Sequence, residues 1–213
     1  MEVYVNNATK KISGTIVLDS VNLELHGGNV YGLQGPNGSG KTMLMRLIAG
    51  LIRPTAGAVY IGQQKIGRDI DFPNSMGLLI ENPGFLPGYT GLRNLTLLAD
   101  IKGCISEAQI RRTMSDVGLD PDDKRIYKKY SLGMKQRLGI ASAIMECPDL
   151  LILDEPTNAL DDHGITQICN LIERERDRGA LVILSCHDSE ILERISDEIF
   201  TVNNGKVERK AKR

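Results

Sequence analysis

The sequence predicts an α/β fold in which a parallel β-sheet is covered by helices on both faces. Three observations predict it. A glycine-rich loop stands between a strand pattern and a helix pattern at residues 30–49, strands and helices alternate at residues 150–187, and the stretch between these regions is mostly helical. Alternating strands and helices are typical of a parallel sheet, because its crossover connections lie on both faces.

The first third of the chain predicts a small antiparallel sheet beside the main one. Residues 2–5 and 16–25 have the composition of strands, and the second segment alternates apolar and polar side chains as a half-exposed strand does. Residues 59–61 form another short strand. Between these strands, the apolar run at 43–49 predicts a helix that follows the glycine-rich loop and stops at Gly50.

The middle of the chain predicts a helical subdomain at about residues 85–147. A short strand at 78–80 runs into residues 81–88, where two prolines and two glycines favour irregular backbone. Thr90 and Ser106 are both suited to begin helices. The expected helices span residues 92–101, 106–117 and 138–145.

The last third of the chain supplies further strands of the parallel sheet. Four apolar residues at 150–153 predict a buried strand that ends at an acidic pair. A helix over residues 164–178 and a strand over residues 180–184 follow it. Asn203-Asn-Gly205 predicts a hairpin turn near the end.

Composition limits the number of domains and the kinds of partner. The 213 residues, 41% of them hydrophobic, can bury one substantial core, so we expect a single domain over residues 1–213. A net charge of −1 gives no basic field, which argues against a nucleic-acid partner. The apolar runs are far shorter than the roughly 20 residues of a membrane-spanning helix, and the N-terminus does not resemble a signal peptide. We therefore expect a cytosolic chain.

The cysteines and the basic tail suggest no further site. Cys104, Cys147, Cys169 and Cys186 lie far apart without a C-x-x-C pair, so we expect ordinary buried thiols rather than a zinc cluster or disulfides. Residues 206–213 are expected to form a solvated, disordered end, with contact to anionic lipid or a partner subunit as the alternative.

The glycine-rich loop carries the first chemistry. Gly35-Pro-Asn-Gly-Ser-Gly-Lys41-Thr42 matches G-x-x-x-x-G-K-[ST], the phosphate-binding P-loop. Its glycines let successive backbone N–H groups point at one anion, and the following helix adds its positive dipole end. Lys41 would reach the β- and γ-phosphates of a nucleotide, and the Thr42 hydroxyl would bind Mg²⁺. The expected nucleotide contacts are Gly35, Pro36, Asn37, Gly38, Ser39, Gly40, Lys41, Thr42 and Met43.

The acidic pair after residues 150–153 carries the second chemistry. Nucleotide hydrolysis needs a carboxylate that holds Mg²⁺ and a group that orients or deprotonates the attacking water. In open parallel sheets, ligands bind at the carboxyl ends of the strands, where Asp154 and Glu155 are expected to lie. We assign Asp154 to the metal and Glu155 to the water.

With these motifs in place, the chain resembles the ATP-binding cassette (ABC) family, the motor subunits of ABC transporters. Tyr130-Ser-Leu-Gly-Met-Lys-Gln-Arg137 is similar to the family signature L-S-G-G-Q-x-Q-R, matched at Ser131, Gly133, Gln136 and Arg137. The family's other landmarks follow in order, and together they cover nearly the whole chain. Residues 150–156 resemble Walker B, residues 158–161 the D-loop and His187 the switch histidine.

The resemblance implies ATP and Mg²⁺ as ligands and ATP hydrolysis as the activity. Two cassettes, either identical or paired with a second ABC subunit, would associate head to tail, with each ATP between the P-loop of one and the signature of the other. Ser131 would offer a hydroxyl and Gly133 an unobstructed N–H to the γ-phosphate, which His187 would also contact. The expected catalytic residues are Lys41, Glu155 and His187, and the expected metal ligands are Thr42, Glu81 and Asp154.

Four positions depart from the family pattern. Glu81 replaces the glutamine of the Q-loop, and Leu132 and Met134 replace a glycine and a glutamine of the signature. This combination resembles the bacitracin-resistance and lantibiotic-immunity branch of bacterial exporters. Ile12 stands where the family places an aromatic residue against adenine, so stacking would be lost or shifted to another residue such as Tyr4, which we expect to pack in the sheet instead. Weak discrimination between bases is the predicted consequence.

The resemblance implies that the chain powers a separate transmembrane permease from the cytoplasmic face of the membrane, exporting a peptide, antibiotic or lipid-like compound. The loop after Glu81 is the expected docking surface. The alternatives are a soluble ABC ATPase acting on ribosomes or DNA, and a regulatory ATP-binding module without turnover. A single cassette without long coiled coils argues against the first, and the presence of Glu155 and His187 argues against the second.

Overall fold

The computed structural model describes residues 1–81 and 84–210, in which the strands form two sheets. The antiparallel sheet comprises β1 (Glu2–Ile12), β2 (Thr15–His26), β4 (Ala56–Ile61) and β5 (Gln64–Lys65), in the order β2-β1-β4-β5. The second sheet comprises β3 (Asn29–Gln34), β6 (Met76–Leu79), β7 (Leu150–Leu153), β8 (Leu181–Ser185), β9 (Glu198–Asn203) and β10 (Lys206–Arg209). Its order is β10-β9-β3-β8-β7-β6, and every pair in it is parallel except β9 with β10.

Helices connect these strands, and all but α1 begin after a residue whose side chain caps them. They are α1 (Lys41–Ile48), α2 (Gly91–Lys102), α3 (Glu107–Asp116), α4 (Leu132–Ile144), α5 (Asp162–Asp177) and α6 (Ser189–Ile195). As predicted, Thr90 caps α2 by accepting a hydrogen bond from the Arg93 N–H, and Ser106 forms a capping box with Gln109 at the start of α3. In the described part of the chain, no helix is both long enough and apolar enough to cross a membrane.

The parallel strands are apolar throughout because both of their faces are covered. Ile152 of β7 belongs to a buried cluster with Leu44 of α1 and residues of the antiparallel sheet. The neighbouring Leu151 points to the opposite face and belongs to a second cluster, with Leu138 of α4 and Ile168 of α5. Successive side chains of a strand point to opposite faces, so the predicted covering of both faces is confirmed.

Two elements are longer than predicted, and a third was not predicted. The first strand continues from the predicted residues 2–5 to Ile12, although its register shifts after Val5 and the polar residues there hide the strand pattern. Helix α4 begins at Leu132 rather than at residue 138, because the hydroxyl of Ser131 accepts the Met134 N–H and caps it. Helix α6, which Asp188 caps, was not predicted.

The predicted hairpin at residues 203–205 is confirmed as the turn between β9 and β10. The prediction of a disordered tail was wrong for its first residues, since Lys206–Arg209 form β10 and Lys210 donates hydrogen bonds to Gln34 and Glu193. Residues 211–213 lie outside the described residues. The expectation of buried thiols was correct for Cys169 and Cys186 and wrong for Cys104 and Cys147, which are exposed.

Candidate functional site

The P-loop lies between β3 and α1, as its motif requires. Gly40, the residue before α1, has φ of 115°, a backbone conformation that favours glycine. The next residue, Lys41, is 7% exposed, and its ammonium donates to the carbonyl oxygens of Gly35 at 2.6 Å and Pro36 at 3.1 Å. The lysine therefore curls back over the loop that it follows.

A buried hydroxyl in the same loop is suited to an anionic ligand. Ser39 is 5% exposed, and within the described residues its Oγ has no hydrogen-bond partner. Its backbone carbonyl accepts a hydrogen bond from the N–H of Gly205, so the β9–β10 turn supports the loop. An unpaired buried hydroxyl is unfavourable unless a ligand satisfies it. Together with the Lys41 ammonium, this loop fits a nucleotide phosphate chain.

The P-loop meets the acidic end of β7 at a single hydrogen bond. The hydroxyl of Thr42 donates to Oδ2 of Asp154 at 2.7 Å. A hydroxyl and a carboxylate are hard oxygen donors of the kind that Mg²⁺ prefers, and Mg²⁺ usually takes only one or two carboxylates with its remaining positions filled by phosphate and water. The two side chains therefore fit the metal that accompanies a bound nucleotide.

Glu155, the next residue, is held in an unusual backbone conformation beside His187. Its φ of 53° lies in the left-handed region, which is uncommon for residues other than glycine. Its side chain is 17% exposed, Oε2 accepts a hydrogen bond from the backbone N–H of His187 at 3.0 Å, and Oε1 lies 3.5 Å from the imidazole Nε2 of His187. The imidazole itself is 54% exposed. The carboxylate and the imidazole thus lie side by side.

Glu81 lies at the same sheet edge but with a different partner. It follows β6, whose Leu79 pairs with Leu153 at the end of β7. Its carboxylate accepts a hydrogen bond from Nη2 of Arg46 at 2.6 Å. Arg46 is on α1, four residues after Thr42 and therefore on the same side of the helix. Arg46 was not predicted, since its only signal in the sequence is this helical spacing from Thr42.

Ser131 and Gly133, from the signature-like stretch, lie at the amino end of α4. Ser131 is exposed, as is Leu132, whose relative exposure is 66%. A Cβ added at Gly133 would lie 2.8 Å from the carbonyl oxygen of Ala159 in the D-loop-like segment. From the next turn of α4, Gln136 donates to the carbonyl oxygen of Glu155 at 2.9 Å. The signature helix is therefore in direct contact with the acidic strand end.

Tyr4 does not take the place of an aromatic residue at Ile12. Ile12 is 42% exposed at the end of β1. Tyr4 lies near the start of β1, where its hydroxyl donates to Glu2 and its ring packs edge-on against the ring of His26. The expectation that Tyr4 packs in the sheet agrees with these contacts.

A P-loop whose threonine is hydrogen-bonded to an acidic strand end, on a mostly parallel sheet, defines the class of P-loop nucleoside triphosphatases. A family model described as "ABC transporter" matches residues 18–158. The chain therefore belongs to the ABC transporter family, and it is an ATP-binding and ATP-hydrolysing subunit.

Relatives of known sequence agree. The Bacillus subtilis protein YybJ, an uncharacterized ABC transporter ATP-binding protein, is 45% identical over 97% of this chain and 94% of its own length. The bacitracin transport ATP-binding protein BcrA of Enterococcus faecalis is 39% identical over 93% of this chain and 65% of its own length. The lantibiotic transport ATP-binding protein SrtF of Streptococcus pyogenes is 36% identical over 95% of this chain and 87% of its own length. The resemblance to the bacitracin and lantibiotic branch is confirmed.

Solved structures agree as well. The dimeric structure of MJ0796, a bacterial ABC transporter cassette, superposes with a TM-score of 0.88 at 27% identity and covers 99% of this chain and 98% of its own. The predicted fold class, an ABC-type ATPase core with an antiparallel sheet and a group of helices, is confirmed.

Proposed function

We propose that this subunit hydrolyses ATP to drive a separate transmembrane permease, from the cytoplasmic face of the membrane, that exports a peptide, antibiotic or lipid-like compound. The observation that carries the proposal is the hydrogen bond between Thr42 of the P-loop and Asp154 of the acidic strand end. Bacitracin and lantibiotic transport, which the names of two relatives state, supports the class of cargo. We treat residues 1–213 as one ABC domain with a helical subdomain at about residues 85–147.

We assign the steps of hydrolysis to residues around this contact. Lys41 binds the β- and γ-phosphates, and Thr42 and Asp154 hold Mg²⁺, which neutralises charge on the phosphates when bound. Glu155 orients or deprotonates the attacking water, and its position beside His187 supports this role. His187 contacts the γ-phosphate.

Glu81 is the third metal ligand in this proposal, but in the structure it is paired with Arg46. Its carboxylate is held by Arg46, and it would have to leave that partner before it could bind metal. Because the side chain of Glu81 is 65% exposed, the pair is a weak restraint and exchange is feasible.

The closed state is a head-to-tail dimer, either of two copies or with a second ABC subunit. Ser131 and Gly133 would close over the ATP bound to the P-loop of the other subunit. The exposure of Ser131 and Leu132 at the start of α4 supports this proposal, as does the dimeric form of the MJ0796 cassette. ATP would favour the closed state because it contacts both subunits there, and hydrolysis would remove that preference.

The permease is proposed to dock at an apolar groove beside the loop that follows Glu81. This groove has a volume of about 330 Å³ and is lined mainly by Phe85, Leu86, Leu97, Leu98 and Ile101. Ile101 is 78% exposed and Leu86 is 48% exposed, which is a high exposure for large apolar side chains. A short cytoplasmic segment of a membrane protein would cover them, since the groove begins three residues after Glu81.

The test of this function is capture of the partner with a trapped subunit. Tagged Glu155→Gln protein is bound to ATP in gently solubilised cells of its source, and the proteins that it retains are identified. A hydrophobic protein with several membrane spans is expected, and Ile101→Glu should release it while Leu51→Glu, at an exposed leucine outside the groove, should not. Recovery of ribosomes or DNA without a membrane protein contradicts the proposal.

A further inference from the structure

Ser185 joins the two acidic residues of the site although it belongs to neither motif. It is the last residue of β8 and has no exposed surface. Its hydroxyl donates to Oδ1 of Asp154 at 2.6 Å and accepts the backbone N–H of Glu155 at 3.0 Å. One oxygen atom thus connects the end of β8 to both carboxylate-bearing residues after β7.

The contact with Asp154 fixes the orientation of its carboxylate. Ser185 donates to Oδ1 and Thr42 donates to Oδ2, so each oxygen has one hydroxyl partner, on β8 and on α1 respectively. Two hydrogen bonds to opposite oxygens prevent rotation of the group about its terminal torsion. Without Ser185, Oδ1 would be free to turn toward Thr42 or toward water.

The contact with Glu155 supports a backbone conformation that glutamate rarely adopts. Its left-handed φ persists only where surrounding groups restrain it. The structure supplies such restraints on both sides of the residue: Ser185 accepts its N–H, Gln136 and the N–H of Asn158 donate to its carbonyl oxygen, and the carboxylate accepts the N–H of His187.

Ser185 is the one polar residue of β8. The preceding residues of β8, Leu181-Val-Ile-Leu184, are all apolar and buried, as expected in a parallel strand covered on both faces. A buried hydroxyl is costly unless it is hydrogen-bonded, and alanine would fill nearly the same space without that cost. The choice of serine therefore favours a role for its oxygen.

We propose that Ser185 is a positioning residue for ATP hydrolysis. Its hydroxyl holds the Asp154 carboxylate in the orientation that the metal requires and holds the Glu155 backbone in the conformation that keeps its carboxylate beside His187. This inference rests on the roles proposed above for Asp154 and Glu155.

The test compares Ser185→Ala and Ser185→Cys with Ser75→Ala. Ser75 is a control remote from the site: it is half-buried, and its hydroxyl accepts the Asp149 N–H and joins the opposite, amino ends of β6 and β7. Two quantities are measured for each variant: the affinity for a fluorescent ATP analogue with and without Mg²⁺, and kcat and KM for ATP hydrolysis.

Loss of the oxygen should affect metal-dependent steps alone. Without Mg²⁺, nucleotide affinity should stay within about twofold of the parent, because the P-loop is untouched. The gain in affinity on adding Mg²⁺ should fall about tenfold and kcat should fall on the order of tenfold, the size expected for a lost hydrogen bond to a charged group. Cysteine, a weak donor of similar shape, should share the defect.

Two outcomes overturn the inference. In one, Ser185→Cys has the Mg²⁺ effect and kcat of the parent, so that the oxygen is not needed. In the other, Ser185→Ala loses thermal stability as Ser75→Ala does and changes neither quantity, so that the hydroxyl serves only packing. Asp154→Asn and Glu155→Gln are measured alongside. If they too keep the Mg²⁺ effect and turnover, the proposed roles of those two residues have failed instead.

Discussion

Replacing Arg46 with methionine should lower the Mg²⁺ concentration that ATP binding requires, because it releases Glu81. Methionine keeps the apolar stem of the arginine and removes its charge. In the parent protein, Nη2 of Arg46 lies 2.6 Å from Oε1 of Glu81. If Glu81 must leave Arg46 to bind Mg²⁺ at Thr42 and Asp154, the free energy of the ion pair opposes metal binding.

The structure limits the size of this effect. The two side chains are 28% and 65% exposed, and exposed ion pairs contribute about 0.2–1 kcal/mol. The Mg²⁺ concentration for half-maximal ATP binding should therefore fall by up to about fivefold, since 1.4 kcal/mol corresponds to tenfold. The melting temperature should fall by no more than about 2–4 °C, because the lost free energy of unfolding is at most about 1 kcal/mol.

The assay is a titration of Mg²⁺ against a fluorescent ATP analogue, with a double-mutant cycle. Arg46→Met should have little effect in a Glu81→Gln background, because the competing carboxylate is absent there. Lys102→Met is the control, since Lys102 pairs with Glu146 at the same distance of 2.6 Å within the helical region. An equal shift in the Glu81→Gln background would refute the reasoning and indicate a direct effect of the arginine charge on the metal.

Three further predictions concern other parts of the molecule. Glu81→Gln should retain turnover but shift its Mg²⁺ or pH dependence; unchanged profiles for both would contradict the role of Glu81. Because Ile12 provides no aromatic surface, ATP and GTP should displace the fluorescent analogue with affinities within about tenfold of each other, and a strong preference for ATP would require another adenine contact. Native alkylation followed by mass spectrometry should label the exposed Cys104 and Cys147 and spare Cys186, because burial raises the pKa of the Cys186 thiol and blocks access to it; rapid labelling of Cys186 would contradict its burial.

The parallel sheet could be predicted because its strands have unambiguous patterns. Leu150–Leu153 is a continuous apolar run, and the P-loop fixes the strand before it and the helix after it. The polar part of β1 could not be predicted, because Asn6 and Asn7 lie at a register shift where the alternation of side chains is interrupted. Strand pairing on both sides of β1 overrides the weak local preference there.

The motif residues of the site could be predicted, but the residues that hold them could not. The sequence indicated Asp154 and Glu155 through their position after an apolar strand. No sequence pattern indicated Ser185. It ends another apolar run, and it contacts Asp154 only because β7 and β8 are paired strands. Arg46 and Glu81 are likewise brought together by the packing of α1 against the sheet. Contacts between residues far apart in the chain depend on strand order, which local pattern does not supply.

The most direct test of ATP hydrolysis at this site is phosphate release by the purified protein and its Glu155→Gln variant, with nucleotide binding measured in parallel. We expect Mg²⁺-dependent phosphate release from the parent protein. The variant should bind ATP as tightly but release phosphate at least about a hundredfold more slowly, the effect of removing a general base. Phosphate release from the variant at the rate of the parent would contradict the assignment of Glu155 and the account built on it.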